Sequence, residues 1–562
     1  MKKPHRKSRS RRNGESRPKA HAASTAAIAA TSVPITTDEP SPDLAVEPVR
    51  SWRDRLFDPV DIASIAVFRI CFGLLLLYDL YTYFANGWIK TIYIDPAFHF
   101  AFFGWEFLRP LPGDGMYLLF GLLAISALLI TVGLFYRVAM TVFVLGFSYV
   151  FLIDQAYYLN HFYFVALLAF LMVFIPASRG WSLDALIAGR SQDARVPAWS
   201  VWILRVQVEI MLLFAGIAKL TGDWLQGEPL GRWLANKADL PIVGPWFLND
   251  TIVLTGAWGA ALLHLIGAVM LLFKPTRIYA FAAYCVFHFL NHLIFTISIF
   301  PWITIAATLL FFDPDWPKVV WRNVVRWLPI PSTPPWMLAD KPPEQSWTAP
   351  SPAMRTAIVS LLASWAVLQA LLPMRHLIYP GNHLWHEQGR NFSWQMMLRQ
   401  KYARAMFYVR DPETNREWLV HPGPLLLRRQ YWFMVERPEM IRQFAHYLER
   451  VWATKHGTHD VEVRAITAAS LNGRQSQALV DPEVDLTKIG YTLGPSDWIV
   501  ALTEPMPPKG ERWPGDERKT LLRNMNADPA VRRLLAIAQR NKMSSSPSEK
   551  SKKVSSDPKA KN

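Results

Sequence analysis

Residues 116–135 read MYLLFGLLAISALLITVGLF, twenty positions without a charged side chain or a proline. Twenty is about the number of residues an α-helix needs to cross the hydrocarbon core of a bilayer. Arg137 follows, and 138–153 is apolar again. Reading outward in both directions, similar runs occur at 64–83, 161–176, 201–222, 252–273, 277–297, 298–312 and 354–373. About nine crossings result, three of them short enough to be tilted, re-entrant or merged with a neighbour. The composition agrees. Apolar residues make up 51% of the 562 and charged residues 19%, below the roughly 25% of soluble domains. Mean hydropathy is +0.12 although both ends of the chain are polar, so the middle is far more apolar than the average. An ordinary cytosolic enzyme is excluded.

The net charge of +16 is misleading, because residues 1–20 hold nine Lys and Arg against one Glu. Half of the excess lies in a tail, with no zinc-finger, KH or RRM signature beside it, so no nucleic-acid partner is expected. Cys71 and Cys285 are the only cysteines and both lie in apolar runs, which excludes a disulfide framework. No cleavable signal peptide is visible, since the first apolar run begins some sixty residues in. Placing the basic N-terminus in the cytoplasm puts Arg137, Arg179, Arg190, Arg195, Lys274, Arg277, Lys318, Arg322, Arg326 and Lys341 on inner connections. Only Lys90, Arg109, Arg232 and Lys237 fall on outer ones, as the positive-inside rule requires.

Nine crossings then deliver the C-terminal part outside. That part is soluble in character, with strand-like runs at 405–409 and 461–468. A hairpin turn is expected at Asn472–Gly473 before 477–480, and helices at 438–453 and 529–540. The expected fold is a polytopic α-helical membrane protein with about nine transmembrane helices and a C-terminal mixed α+β exoplasmic domain. Residues 1–50 form a disordered basic tail, 51–373 the multi-pass region, 374–540 the exoplasmic domain and 541–562 a second disordered tail. The Trp-rich stretch 385–397 is expected to pack on the bundle, and the Pro-rich stretch 313–352 to be a linker.

Ionisable groups inside a membrane are costly and therefore functional candidates. Lys219 falls near the outer end of its segment, and Asn160 and His161 at the outer mouth of theirs. His288, Asn291 and His292 share one helix face in the outer half of the seventh segment, at i, i+3 and i+4. The ninth segment ends outside, just before His376 and WHEQGRNFSWQMM (385–397). Four separate stretches thus send polar groups to one layer. Each has a plainer reading. Lys219 can snorkel to headgroups, or it can be a desolvated amine whose pKa is drawn towards neutrality, fit to act as a base. His161 can be an interfacial hydrogen-bonder. His288 and His292 have metal-ligand spacing but no third ligand or HExxH motif, so no metal is expected. Arg205 and Glu209 read as a structural i, i+4 pair, Arg69 and Asp79 as packing or interfacial groups, and Gly216 as room for a flat ring. The aromatic loop 84–108 suits an interfacial belt or the roof of a pocket.

Several stretches resemble the vitamin K-dependent γ-glutamyl carboxylase family. They are DPVDIASIAVFRICFG (58–73), RPLPGDGMYLL (109–119), NHFYFVALLAFLMVFIPA (160–177), FAGIAKLTGDW (214–224), FHFLNHLIFTISIF (287–300), FSWQMM (392–397) and VDPEVDL (480–486). The likeness is collinear over about 52–500, and bacterial proteins share the same membrane module. It makes 51–373 a carboxylase-like membrane domain. It further implies that Lys219 is the catalytic lysine that deprotonates vitamin K hydroquinone, and that His161, after Asn160, hydrogen-bonds the oxygenated vitamin. His288 and Asn291 would line the same cofactor pocket, while Trp394, Met396 and Met397 would hold the glutamate substrate. The implied enzyme is a γ-glutamyl carboxylase, a carbon-carbon lyase that joins epoxidation of the hydroquinone to γ-carboxylation of peptidyl glutamate. O2 and CO2 are its co-substrates, and its partners are a glutamate-containing peptide or protein, the lipid bilayer and a quinone reductase.

Two departures support a different class. Arg390 stands where the animal enzymes carry a Tyr linked to handling the carbanion, and the chain stops near 540, without their further exoplasmic β-rich region. The alternative is a quinone- or lipid-binding membrane protein that keeps the pocket without carboxylating. A haem-bearing quinol oxidoreductase using His288 and His292 is a third reading.

Overall fold

The computed structural model describes residues 51–190, 194–295, 297–327, 350–457 and 460–508, with Arg532 alone beyond them. Both tails and the helix expected at 529–540 thus lie outside the described residues. Each of the nine apolar segments is helical: α1 (Ala63–Ala85), α2 (Gly115–Val132), α3 (Tyr136–Ile153), α4 (Asn160–Phe174), α5 (Trp199–Ile217), α6 (Asp250–Leu272), α7 (Lys274–Ile294), α8 (Phe300–Phe311) and α9 (Pro352–Met374). Among the described residues, α1, α2, α3, α5, α6 and α9 are long and apolar enough to cross a membrane. α4 and α8 are shorter apolar helices, and α7 carries Lys274, Arg277, His288 and His292 on its polar face. α2 is apolar on every face, the pattern of a helix whose surroundings are side chains or lipid on all sides.

Polar groups in the bundle mostly serve helix ends. Arg205 does not pair with Glu209. It donates from Nε to the Leu310 carbonyl at 2.7 Å and from Nη2 to Phe312 at 2.9 Å, satisfying carbonyls that the end of α8 leaves open, while the Glu209 oxygens have no partner. Arg69 is a packing group, as expected. It is fully buried and donates to the Trp181 carbonyl at 2.5 Å. Gly133 ends α2 at φ +68°, and a Cβ there would fall 1.6 Å from Arg69 Nη1, so conformation and space both demand glycine. The stretch 313–352 is not linker throughout, because Trp316–Val325 is a helix. Residues 328–349 are outside the described set.

β1 (Pro59–Asp61) pairs with β2 (Arg195–Pro197) and ties the approach to α1 to that of α5. The C-terminal domain is a three-stranded antiparallel sheet in the order β4 (Arg416–Val420), β3 (Lys401–Asp411), β5 (Glu462–Leu471). β3 alternates strictly between buried and half-buried positions. Its inward residues Ala403, Ala405, Phe407 and Val409 pack with Ile441, Phe444 and Leu448 of α11 (Pro438–His456), a two-layer core. Before it lies α10 (Arg428–Val435). The expected strands 405–409 and 461–468 fall inside β3 and β5. The turn at Asn472–Gly473 has φ +50° and +78° and leads to an Ala469–Gln477 bridge.

Two buried carboxylates join this domain to the bundle. Asp154, after α3, accepts from Gln430 Nε2 of α10 at 2.8 Å. Asp223, after α5, takes a two-pronged pair from Arg474 at 2.7 Å on each oxygen, with Asn472 donating at 2.8 Å. Bidentate guanidinium pairs fix orientation as well as distance, so the segment that follows Lys219 is clamped to the turn after β5.

Candidate functional site

A cavity of about 1750 Å³ opens where the bundle meets the C-terminal domain. Lys219, His161, Asn160, His288 and Asn291 line its membrane end, while Met396 and Met397 line the other. Trp394 does not line it. The indole is fully buried, 4.8 Å from the Tyr163 ring and 6.1 Å from Phe164 of α4, so it packs the domain onto the bundle instead of facing a substrate. Gln395, its neighbour, does face the cavity, and both polar ends of its amide lack partners among the described residues.

Lys219 follows α5 by two residues and is 4% exposed, so it is not snorkelling. Its Nζ donates to the Ala215 carbonyl at 2.9 Å and lies 5.2 Å from the centre of the Trp224 ring. Among the described residues it pairs with no carboxylate. Trp224 is held in turn by a 2.8 Å bond from its Nε1 to the Ala257 carbonyl of α6. Gly216 gives a ring no room. A Cβ on it would lie 3.0 Å from His264 Cβ and 2.9 Å from the Leu265 side chain, so the glycine lets α6 approach α5 closely. There α6 makes one π-helical turn, Leu263–Gly267, a distortion common at functional sites. The turn carries His264 onto the cavity wall with Nδ1 2.6 Å from the Ala260 carbonyl.

His161 sits in the first turn of α4 with Nε2 unpartnered, and both nitrogens of His288 are unpartnered. The Phe300 ring centre lies 6.1 Å from each of these imidazoles. Asn160 Oδ1 accepts from the Tyr158 hydroxyl at 3.0 Å, and that hydroxyl accepts from the Phe392 amide at 2.7 Å. Helix α4 is thereby tied to the stretch 387–397, in which Glu387, Phe392, Trp394 and Met397 all have φ between +54° and +63°. Left-handed backbone at four non-glycine residues is costly and clusters at functional sites.

The other end of the cavity is cationic, lined by Arg390, Arg399, Arg429 and Arg437 with Glu436. Arg399 pairs with Glu436 at 2.8 Å and with Glu387, which also holds Arg390 at 2.7 Å and lies 3.8 Å from Lys401 and from Arg437. Burial alone would raise the Glu387 carboxyl, but Arg390, Arg399, Lys401 and Arg437 hold it well below the ordinary carboxylate range. Glu387 itself faces a smaller cavity of about 260 Å³, which shares Arg390, Asn391 and Arg437 with the large one.

Sequence spacing missed Gln395, His264 and the arginines, which come from four elements with no periodic relation. Asp79 also lines the cavity, and its only visible signal was a charge within an apolar run.

A family model described as the HTTM domain matches residues 57–316. A second, the lumenal domain of vitamin K-dependent gamma-carboxylase, matches 354–505. The chain belongs to the vitamin K-dependent γ-glutamyl carboxylase family. No solved structure matches it. Within this carboxylase-family chain the boundary between the two matched regions falls just before α9, so the cavity takes its polar groups from both.

The cavity fits a reduced naphthoquinone. It is large, its bundle end is apolar between polar groups, and His161 and His288 offer unpaired nitrogens that cost stability unless a ligand meets them.

Proposed function

We propose that this protein is an integral-membrane γ-glutamyl carboxylase that uses vitamin K hydroquinone. The hydroquinone and O2 give the epoxide and water, and peptidyl glutamate loses a γ-proton and gains CO2. When bound, the hydroquinone supplies the strong base that no side chain can provide for so weak a carbon acid. The observation that carries the reading is Lys219, buried without a carboxylate partner in the same cavity as a cationic end suited to a carboxylate.

An amine desolvated without a counter-ion is suited to accept the first proton from a hydroxyl. His161 and His288 offer nitrogens to orient the ring, with Asn160 and Asn291 beside them. Burial under the C-terminal domain keeps water from the reacting atoms. Met396, Met397 and Gln395 face the space a glutamyl side chain would occupy, and Arg399, Arg429 and Arg437 would steer its carboxylate. In this reading the C-terminal domain is exoplasmic and the N-terminus cytoplasmic. The quinol arrives from the bilayer, where a quinone reductase regenerates it, and the peptide arrives from the aqueous side.

A second reading rests on Arg390. Its guanidinium is bound to Glu387 at the wall between the two cavities, where the animal enzymes carry a Tyr, and this favours a quinone-binding protein that does not carboxylate. Purified protein supplied with vitamin K hydroquinone, labelled bicarbonate and a glutamate-containing peptide separates the two. Label in the peptide supports the carboxylase, whereas epoxide without label, or neither product, supports the second reading.

A further inference from the structure

Asp79 is an acid in the outer half of α1, inside a run of apolar residues, and it is 7% exposed. Among the described residues no Lys, Arg or His lies within ion-pair distance of it. One oxygen, Oδ1, accepts from the Ser298 hydroxyl at 3.2 Å, and no bond to Oδ2 is formed among the described residues. Ser298 has φ +43°, a conformation rarely adopted by a residue with a side chain, in the turn between α7 and α8. Two residues later comes Phe300, whose ring adjoins both His161 and His288. Both Asp79 and Ser298 line the large cavity. A carboxyl at this depth is expensive, and packing α1 does not require one.

We infer that Asp79 is a further anchor for the cofactor ring and distinguishes the reduced from the oxidised form. The inference rests on the proposed naphthoquinone ligand. A hydroquinone presents two hydroxyl donors, whereas a quinone presents two carbonyl acceptors. A carboxylate only accepts hydrogen bonds, and here Ser298 directs its donor at one oxygen and leaves the other for the ligand. A hydroquinone hydroxyl satisfies that oxygen, whereas a quinone carbonyl faces it acceptor to acceptor. Sites built around a buried polar group reject analogues that leave it unpaired. Asp79 therefore favours loading of the form the reaction consumes and release of the oxidised form.

The test is a binding measurement that needs no turnover. Quenching of tryptophan fluorescence by a short-chain naphthoquinone is titrated anaerobically on the full chain in nanodiscs, with the ligand held oxidised or reduced by dithionite. Asp79→Asn keeps the shape and turns one acceptor into a donor. It should weaken binding of the hydroquinone by about tenfold and change the quinone's affinity by less than about twofold. Ser298→Ala should reduce the preference for the hydroquinone by a smaller factor, and it carries the comparison if Asp79→Asn fails to fold. Equal loss for both forms, or no change for either, overturns the inference. A wild-type protein that binds the hydroquinone more tightly than the quinone yet incorporates no label refutes the carboxylase reading and leaves Asp79 in its role.

Discussion

Lys219 and Trp394 show how far a residue's neighbours decide its role. The lysine donates to its own helix at Ala215 and faces a ring, with no acid beside it. Lys219→Ala should therefore abolish epoxide and γ-carboxyglutamate formation together, by at least the roughly 10²–10⁴-fold that a positioned base contributes. Membrane insertion and the circular dichroism spectrum should be unchanged, and small amines should restore part of the turnover. Epoxidation at the wild-type rate in that variant would reduce the lysine to packing. Trp394 offers the opposite case. Removing an indole buried against Tyr163 and Phe164 should cost about 3–5 kcal/mol and appear as a lower unfolding temperature. The KM for peptide should move little, whereas Gln395→Ala, which touches nothing else, should raise it. The sequence alone shows FSWQMM as a unit. It does not show that left-handed backbone at Phe392, Trp394 and Met397 turns neighbouring side chains to opposite sides.

At the scale of elements, apolar length was enough to find the nine helices, because a segment surrounded by lipid or other helices needs no finer pattern. Features that depend on a partner were not legible. The π-helical turn in α6 exists because Gly216 lets it approach α5. Arg205 leaves Glu209 because carbonyls at the end of α8 are the better acceptors. β4 is five residues long with little alternation, and only its pairing with β3 marks it as a strand. The stretch 387–401 is held by Glu387 among four cations, and this makes a pH prediction. Its folded pKa lies below the ordinary value of 4.5. The stability it contributes is therefore complete above that value and is lost as pH falls below it. Glu387→Gln leaves buried cations unpaired and should cost about 3–5 kcal/mol at neutral pH. Thermal unfolding of both proteins should show a constant gap from pH 7 to about 5 that begins to close below about 4.5. A gap independent of pH down to 3 would mean that the carboxylate does not carry the effect.

For the whole molecule, the arrangement depends on which side of the membrane the C-terminal domain occupies. The cavity takes its base and histidines from the bundle and its arginines from the domain. A lipophilic ring and a water-borne peptide can meet there only if the domain faces the compartment that holds the peptide. The loop charges, ten cations against four, put α9 and everything after it outside the cytoplasm. Glu413 lies on the exposed turn between β3 and β4, and Arg190 on an exposed connection before α5. Cys71 and Cys285 are half-buried in helices and are replaced by Ser to clear the background. In that protein Glu413→Cys should react with an impermeant thiol reagent on intact cells, and Arg190→Cys only after the membrane is opened. Each substitution stands at an exposed site away from the cavity, so turnover should persist and verify the fold of the labelled protein. The reverse pattern would place the arginine end in the cytoplasm. The peptide would then have to be a cytoplasmic one, and the proposed route for the substrate would fail even if Lys219 proved to be the base.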